Sequence, residues 1–305
     1  MIDVNSISAL LKDIDDIKLK YDHKLAPYTS YGVGGAATFW VEPYSEVALR
    51  KVLEIINEAE VPLFVLGGGC NVLVSDDGWH GVVLHTGDNL SGWTFEGNTA
   101  KVLAGTVLEE FIGAAVEGGL GGMEKMFGIP GSVGGALRMN AGAFGQEIES
   151  RVTSVNGFTL SGKPFEMSRE EIGFDYRKAH GLEDKVIVSA QFELIDDDHK
   201  TLLDKMYEVK KMRSEKQPLD FPSCGSVFKR PSGHYAGTLI EDAGMKGKRL
   251  GGAKVSEKHA GFILNVDNAK ANDIYQLMQM VEKAVKEKSG VQLEREVKVI
   301  GSMNA

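Results

Sequence analysis

The chain has 305 residues, 43% of them hydrophobic and 25% charged, which is the composition of an ordinary soluble globular protein with room for two domains, or one large domain and an appendage. A net charge of −9 argues against non-specific binding to nucleic acid or anionic membrane, and an acidic start with no apolar run of spanning length predicts neither signal peptide nor transmembrane helix. Cys70 and Cys224 alone make no disulfide framework and no metal-ligand cluster, so a reducing, cytoplasmic home is expected.

In chain order, residues 44–60 (YSEVALRKVLEIINEAE) space Val47, Leu53 and Ile56 as a helix face, with Ser45 as cap. VPLFVLGGG predicts a short buried strand ending in three glycines, and VLVSDDG a further strand and turn. Thr106 with Glu109 makes a capping-box pattern opening a helix over TVLEEFIGAAVEGG. A glycine-rich middle fills 118–145, and strand-like segments such as VTSVNGFTL and VIVSAQFEL alternate through 151–195. A charged helix over about 198–215 leads toward a second domain. A helix near 272–287 ends at Ser-Gly, and VQLEREVKVIG closes the chain as a strand, with Val291, Leu293, Val297 and Val299 on one face and Gln292, Glu294, Glu296 and Lys298 on the other. Helices and strands mix without strict βα alternation, an α+β pattern.

Charge is uneven. From Lys205 to Lys258 there are 12 Lys and Arg against 6 Asp and Glu. A basic region inside an acidic protein suits a small anionic ligand, although for any one lysine a solvated helix face is the plainer reading. Glycine is abundant, at 37 residues, and comes in short blocks. LGGGCNVLVSDDG (66–78) is no Rossmann fingerprint, because strand-like residues follow the glycines where a helix is needed, and it has no Walker lysine. It leaves a run of unobstructed amides able to bind anionic oxygens, with Asn71 and Ser75 adding side-chain hydrogen bonds; a tight turn between strands explains it equally well. The second block, 128-GIPGSVGGALRMNAGAFG-145, tips the balance. Gly131, Gly134, Gly135, Gly142 and Gly145 imply backbone packed closely against something, while Ser132 and Asn140 offer uncharged hydrogen bonds. Two such blocks suit a flavin dinucleotide, one for the pyrophosphate and one for the ring.

The set SYGVGGAA (30–37), LGGGCNVLVSDDG, GIPGSVGGALRMNAGAFG, FDYR (174–177), PSCGSVFKRP (222–231), AGTLIEDAGMKGKRLGG (236–252), SEKHAGFILN (256–265) and LEREVKVIG (293–301), in this order, resembles the UDP-N-acetylenolpyruvoylglucosamine reductases, also called UDP-N-acetylmuramate dehydrogenases. The resemblance implies an FAD-binding domain of the vanillyl-alcohol-oxidase (PCMH) type made of two α+β subdomains, over 30–196, after an N-terminal segment over 1–29. A smaller C-terminal α+β substrate-binding domain follows over 197–305. FAD would be held by Gly67, Gly68, Gly69, Cys70, Asn71 and Val72, and by Pro130, Gly131, Ser132, Gly134, Gly135, Asn140, Ala141 and Gly142. The resemblance further implies NADPH as reductant, a UDP-sugar substrate, a role in peptidoglycan precursor synthesis, and no metal, nucleic-acid, membrane or obligate protein partner. HGLED (180–184) leads straight into the strand VIVSAQFEL, as in the shorter of the family's two forms, which lacks a tyrosine-bearing loop over the substrate.

In SCGSVFKRP, Ser226 is not in a G-x-S-x-G elbow, and no histidine is near it in sequence. Reduction of an enolpyruvyl ether needs no nucleophile. Hydride addition leaves charge beside the carboxylate, which calls for cationic or acidic groups at the oxygens and a proton for the carbon. By resemblance Ser226 donates that proton, Arg177 is the catalytic arginine, whose planar fork fits a carboxylate, and Glu296 acts in its acid form beside the developing enolate. On pattern alone Glu296 points away from the apolar face, to solvent. Tyr176, Arg213, Lys216, Lys229 and Arg230 are the expected substrate contacts. The chain departs from the family at Cys70, often serine, and at Arg138, Ala179 and Arg230. Cys224 reads as a small residue packed beside the flavin rather than a redox thiol, and His180, His234 and His259 have no metal-ligand spacing, with His259 at a domain edge. Two other readings remain: a flavin oxidase of the same superfamily, and a nucleotide-sugar-binding module without turnover.

Overall fold

Helix α1 covers Val4–Lys12 and α2 covers Glu46–Glu58 in the computed structural model, which describes residues 4–303. The remaining helices are α3 Leu108–Glu117, α4 Val133–Arg138, α5 Arg169–Ile172, α6 His199–Lys216, α7 Ala236–Asp242 and α8 Ala271–Ser289. Helices and strands mix without strict alternation, so the α+β class stands as expected. No helix among the described residues is long and apolar enough to cross a membrane. The chain folds as two compact units. The first takes residues up to Tyr21, Phe39–Gly68 and Gly81–Met212; the second takes Asp22–Thr38, Gly69–His80 and everything from Arg213.

The first unit has two cores. One lies on a four-stranded sheet ordered Ile17–Lys24, Ala36–Pro43, Trp79–His85, Leu63–Leu66, with its last pair parallel. Ser45 caps α2 as predicted, its Oγ accepting from Ala48 N at 3.2 Å. That cap sets the helix phase, so the buried stripe is Ala48, Leu49, Val52, Leu53 and Ile56. Val47, read from sequence as part of the face, is 66% exposed. Each Leu, Val or Ile fully buried in this way contributes roughly 1.5–3 kcal/mol.

The other core lies on an antiparallel five-stranded sheet ordered Pro164–Ser168, Val152–Thr159, Lys185–Glu193, Thr99–Leu103, Trp93–Glu96. Helix α3 covers it with Leu108, Phe111, Ile112, Ala115 and Val116. The capping box read at Thr106 is not formed. The N-cap of α3 is Val107, and the buried Thr106 hydroxyl instead donates to Gly92 O and accepts from Gly92 N. Long-range turn bonding outcompetes the local cap.

The second unit is built on a three-stranded antiparallel sheet, Arg249–Leu250, Ala253–Val255, Ile263–Asn265, packed by α7 and α8. Its core also draws Tyr31, Val33 and Leu73 from far upstream. The predicted terminal strand is shorter than read. Only Lys298–Ile300 is strand, running parallel to Val72–Val74. Ahead of it, Glu296 N and Val297 N both reach Val227 O, at 2.8 and 3.4 Å. Two residues opposite one is a β-bulge, yet the alternation inferred over 291–299 largely holds, with Gln292, Glu294 and Lys298 exposed. Leu293 and Val297 are buried, four apart, and Glu296 is half-buried rather than turned to solvent.

Candidate active site

The two glycine blocks meet in the first unit. A Cβ on Gly68 would stand 2.7 Å from Gly131 Cα, and one on Gly67 would stand 2.4 Å from Ser132 Oγ. The close packing inferred for the second block is therefore packing against the first, and only glycine allows it. Ser132 ties them together. As N-cap of α4 its hydroxyl accepts from Gly135 N at 3.3 Å and from Gly68 N at 3.4 Å. Asn140 is buried with all its side-chain bonds inside the protein: Nδ2 donates to Glu147 and to Asp175 O, and Oδ1 accepts from Glu149 N.

The rest of the first block, Gly69 to Val72, lies in the second unit. There Ser30 donates to Cys70 Sγ at 3.0 Å, and burial pushes the Cys70 thiol up despite that bond. Asn71 Nδ2 donates to Glu296 O at 3.1 Å while Asn71 O accepts from Lys298 N, so this residue clamps the Glu296 backbone. Ser75, a candidate ligand donor from sequence, is buried and donates to Ser302 O. Cys224 Sγ donates to Val72 O at 3.4 Å, and burial pushes its thiol far above the ordinary range, as befits an inert packing residue.

Arg177 sits at the tip of a two-residue turn joining Phe174–Asp175 to Lys178–Ala179. Its guanidinium donates to Gly142 O at 2.8 Å and Asn140 O at 3.3 Å, stands 3.6 Å from Glu147 Oε1, and lies over the Tyr176 ring at 5.0 Å. Asn140 thus grips both ends of the arrangement, through Asp175 and through its own carbonyl. Nothing in the sequence pointed to Glu147, which is 30 residues upstream and carries no local motif.

Ser226 and Glu296 are in the second unit, on neighbouring stretches. Ser226 bridges to Phe262 and Phe228 to Arg295, with Val227 between them accepting from Glu296 N. Ser226 is exposed, and its hydroxyl has no partner among the described residues. The basic candidates differ among themselves. Lys229 pairs with Glu294 at 2.6 Å and Arg230 stacks on Tyr235 at 4.1 Å. Arg213 is 7% exposed, with Nη1 donating to Gln217 at 3.4 Å, and Lys216 is exposed. Much of the basic excess is neutralised locally, with Lys246 on Glu241, Arg249 on Asp267 and Lys254 on Glu257.

A model of the FAD binding domain family matches residues 37–168, and one described as UDP-N-acetylenolpyruvoylglucosamine reductase, C-terminal domain, matches 217–300. The UDP-N-acetylenolpyruvoylglucosamine reductase of Clostridium novyi is 41% identical over 301 residues, 98% of this chain and 97% of that one. That of Streptococcus pneumoniae is 41% identical over 293 residues, 96% of this chain and 97% of that one. The chain belongs to the UDP-N-acetylenolpyruvoylglucosamine reductase family. The crystal structure of the Thermus caldophilus reductase is similar in fold, with a TM-score of 0.77 and 32% identity over 93% of this chain and 99% of that one. Like its family, the chain is an FAD-dependent oxidoreductase, and the family's reductant is NADPH. The donor set fits the cofactor. In the first unit, residues 66–68 and 128–135 carry no charged side chain to repel a diphosphate, and Gly67 and Gly68 meet Gly131 and the Ser132 hydroxyl with backbone alone.

Proposed function

We propose that the protein reduces the enolpyruvyl ether of UDP-N-acetylglucosamine enolpyruvate to UDP-N-acetylmuramate, in the cytoplasm and as a step of peptidoglycan precursor synthesis. Residues 30–196 bind the flavin and 197–305 the substrate, a division supported by where the two family models fall. When bound and reduced by NADPH, FAD would supply the hydride that the methylene carbon takes up. Arg177 holds the substrate carboxylate with its planar fork and stays charged in doing so. Ser226 gives a proton to the carbon next to that carboxylate; a free, exposed hydroxyl suits the task, since the intermediate is a strong base. Glu296 acts as a neutral acid, because a carboxylate beside the enolate would repel it. Gly67 to Val72, with Pro130, Gly131, Ser132, Gly134, Gly135, Asn140, Ala141 and Gly142, hold the cofactor, Asn140 and Asn71 chiefly by shaping backbone. Tyr176, Arg213, Lys216, Lys229 and Arg230 meet the substrate's anionic groups, Lys229 by exchanging its Glu294 partner.

The observation that carries this reading is the full-length likeness to the reductases. The purified protein is expected to be yellow and to oxidise NADPH only when the enolpyruvyl UDP-sugar is added. Oxidation by air alone would favour a flavin oxidase, and a colourless, inert protein a binding module. Ser226→Ala is expected to slow reoxidation of reduced flavin by the substrate about 10²–10⁴-fold while NADPH still reduces it; unchanged reoxidation would remove the serine from the mechanism.

A further inference from the structure

In the second unit, residues 256–262 (SEKHAGF) close a tight loop between the strands Ala253–Val255 and Ile263–Asn265. Ser256 Oγ accepts from the amides of Lys258 and His259, each at 3.1 Å, and Phe262 N donates to His259 O at 3.0 Å. The His259 backbone is therefore fixed by its own loop. Its ring is fixed too. Nδ1 accepts from Gly261 N at 3.1 Å, the Phe262 ring meets it edge-on at 5.0 Å, and a Cβ on Gly237 of α7 would stand 3.5 Å from Cε1. A Cβ on Gly261 would stand 2.9 Å from His259 Cε1 and 3.9 Å from Ser226 Oγ. Glycine at 261 lets the imidazole and the serine hydroxyl approach one point of the backbone.

From that imidazole nitrogen a chain of backbone hydrogen bonds runs past Ser226 to the amide of Glu296. Gly261 N donates to His259 Nδ1 at 3.1 Å, Val227 N to Gly261 O at 2.9 Å, and Glu296 N to Val227 O at 2.8 Å. Each link enters a residue at its amide and leaves at its carbonyl. Ser226 is covalently bound to the middle link, and Glu296 is the last. We infer that His259 is a positioning residue for the reaction, a latch whose unprotonated Nδ1 holds Gly261 and, through it, the register of Ser226 against Glu296. This rests on the roles proposed above for those two residues.

As an acceptor, Nδ1 requires the neutral ring with its proton on Nε2. Burial lowers the His259 pKa below the ordinary 6.5, partly opposed by a hydrogen-bonding interaction with the backbone of His259 itself. Charged groups on the surrounding elements have other partners. Glu257 binds Lys254, Lys258 Nζ donates to Ser214 O, Glu241 of α7 binds Lys246, and Lys229 beyond Ser226 binds Glu294; Asp242 ends α7 exposed. The latch is thus present at neutral pH and is lost as pH falls through the lowered pKa, when Nδ1 gains a proton and can no longer accept.

Two substitutions in the FAD-loaded enzyme test this. His259→Phe removes the acceptor; His259→Asn keeps an acceptor on the same branch and does not titrate. The Phe variant should lose about tenfold or more in substrate-driven flavin reoxidation, since slight misplacement is costly, with NADPH reduction within about twofold. Without substrate, its amides at 227 and 296 should exchange hydrogen faster than in the parent. The Asn variant should restore reoxidation to within about threefold and abolish the parent's fall in rate at acid pH. Wild-type exchange at both amides in the Phe variant would overturn the latch, and so would an unaltered acid limb in the Asn variant. Should the Phe variant not fold, the Asn profile decides alone. Failure of the serine reading is seen separately, in Ser226→Ala on the parent chain, and leaves the exchange result intact.

Discussion

Arg177 stands at φ +56°, where an L residue carries about 1–2 kcal/mol of strain. The strain is tolerated because two carbonyls, Glu147 and the Tyr176 ring hold the guanidinium once the turn has formed. Replacing the residue separates these contributions. Arg177→Ala and Arg177→Gly should both cost at least about 100-fold in kcat/KM for the enolpyruvyl substrate, as both lose the fork. The Gly variant should nonetheless be more stable than the Ala variant by about 1 kcal/mol in urea unfolding, because glycine accepts the positive φ. Equal stability would mean that the turn relaxes when the guanidinium is gone. FDYR exposed the arginine to a sequence reader, but not its strain or the grip of Asn140, which are consequences of residues 30 and more positions away meeting in the fold.

At the scale of elements, the four-stranded sheet holds a charge cluster that no motif announced. Glu42 accepts from Lys18 Nζ and from Trp40 Nε1, each at 2.8 Å, and lies 3.4 Å from His85 Nδ1. Burial alone would raise the Glu42 pKa, but the bonds from Lys18 and Trp40 outweigh it and hold the carboxyl below its ordinary 4.5. A folded pKa below the unfolded one means stability that is present above pH 4.5 and lost as pH falls through the lowered value. Burial likewise lowers His85 from 6.5, despite Glu42, so the fold also resists protonation of that ring and loses stability on the acid side. Glu42→Gln should therefore be less stable than the parent at pH 7, with the gap closing below about pH 4.5; a gap that stays constant with pH would show that the lost charge was not responsible. Lys18, Trp40, Glu42 and His85 come from three different strands, so no window of sequence contains the cluster. Local signals fared according to their competition. The Ser45 cap was legible because its partner is three residues away, whereas the pattern at Thr106 misled because Gly92, 14 residues upstream, claims the same hydroxyl. At Glu296, half-buried among the exposed Gln292, Glu294 and Lys298, the backbone bulge against Val227 is the feature no residue pattern contains.

Over the whole chain, the sequence reads as consecutive domains, while the compact units are interleaved: the chain passes from one unit to the other between 21 and 22, 38 and 39, 68 and 69, 80 and 81, and 212 and 213. The reading missed this because glycine loops such as LGGG and short strands such as VLV look like connections within one domain, and nothing local marks the passage. A family-model boundary near 217 and a folding boundary are then different things. Residues 197–305 alone would lack Tyr31, Val33 and Leu73, which are buried in the second unit's core, and Lys298–Ile300 would lose Val72–Val74, its partner strand. Asp76 would also be missing from the start of α8, where its carboxylate accepts from the amides of Ala271 and Asn272 at 2.9 and 3.1 Å. Removing three core side chains at about 2–5 kcal/mol each, together with a cap and a strand partner, is comparable to the roughly 5–15 kcal/mol by which a domain is stable. The fragment 197–305 should therefore show no cooperative thermal unfolding and little amide protection, while the full chain shows both. A fragment that melted cooperatively, with protected amides in Ala271–Ser289, would mean that α7, α8 and the three-stranded sheet suffice, and that segments 22–38 and 69–80 are additions to a core already complete.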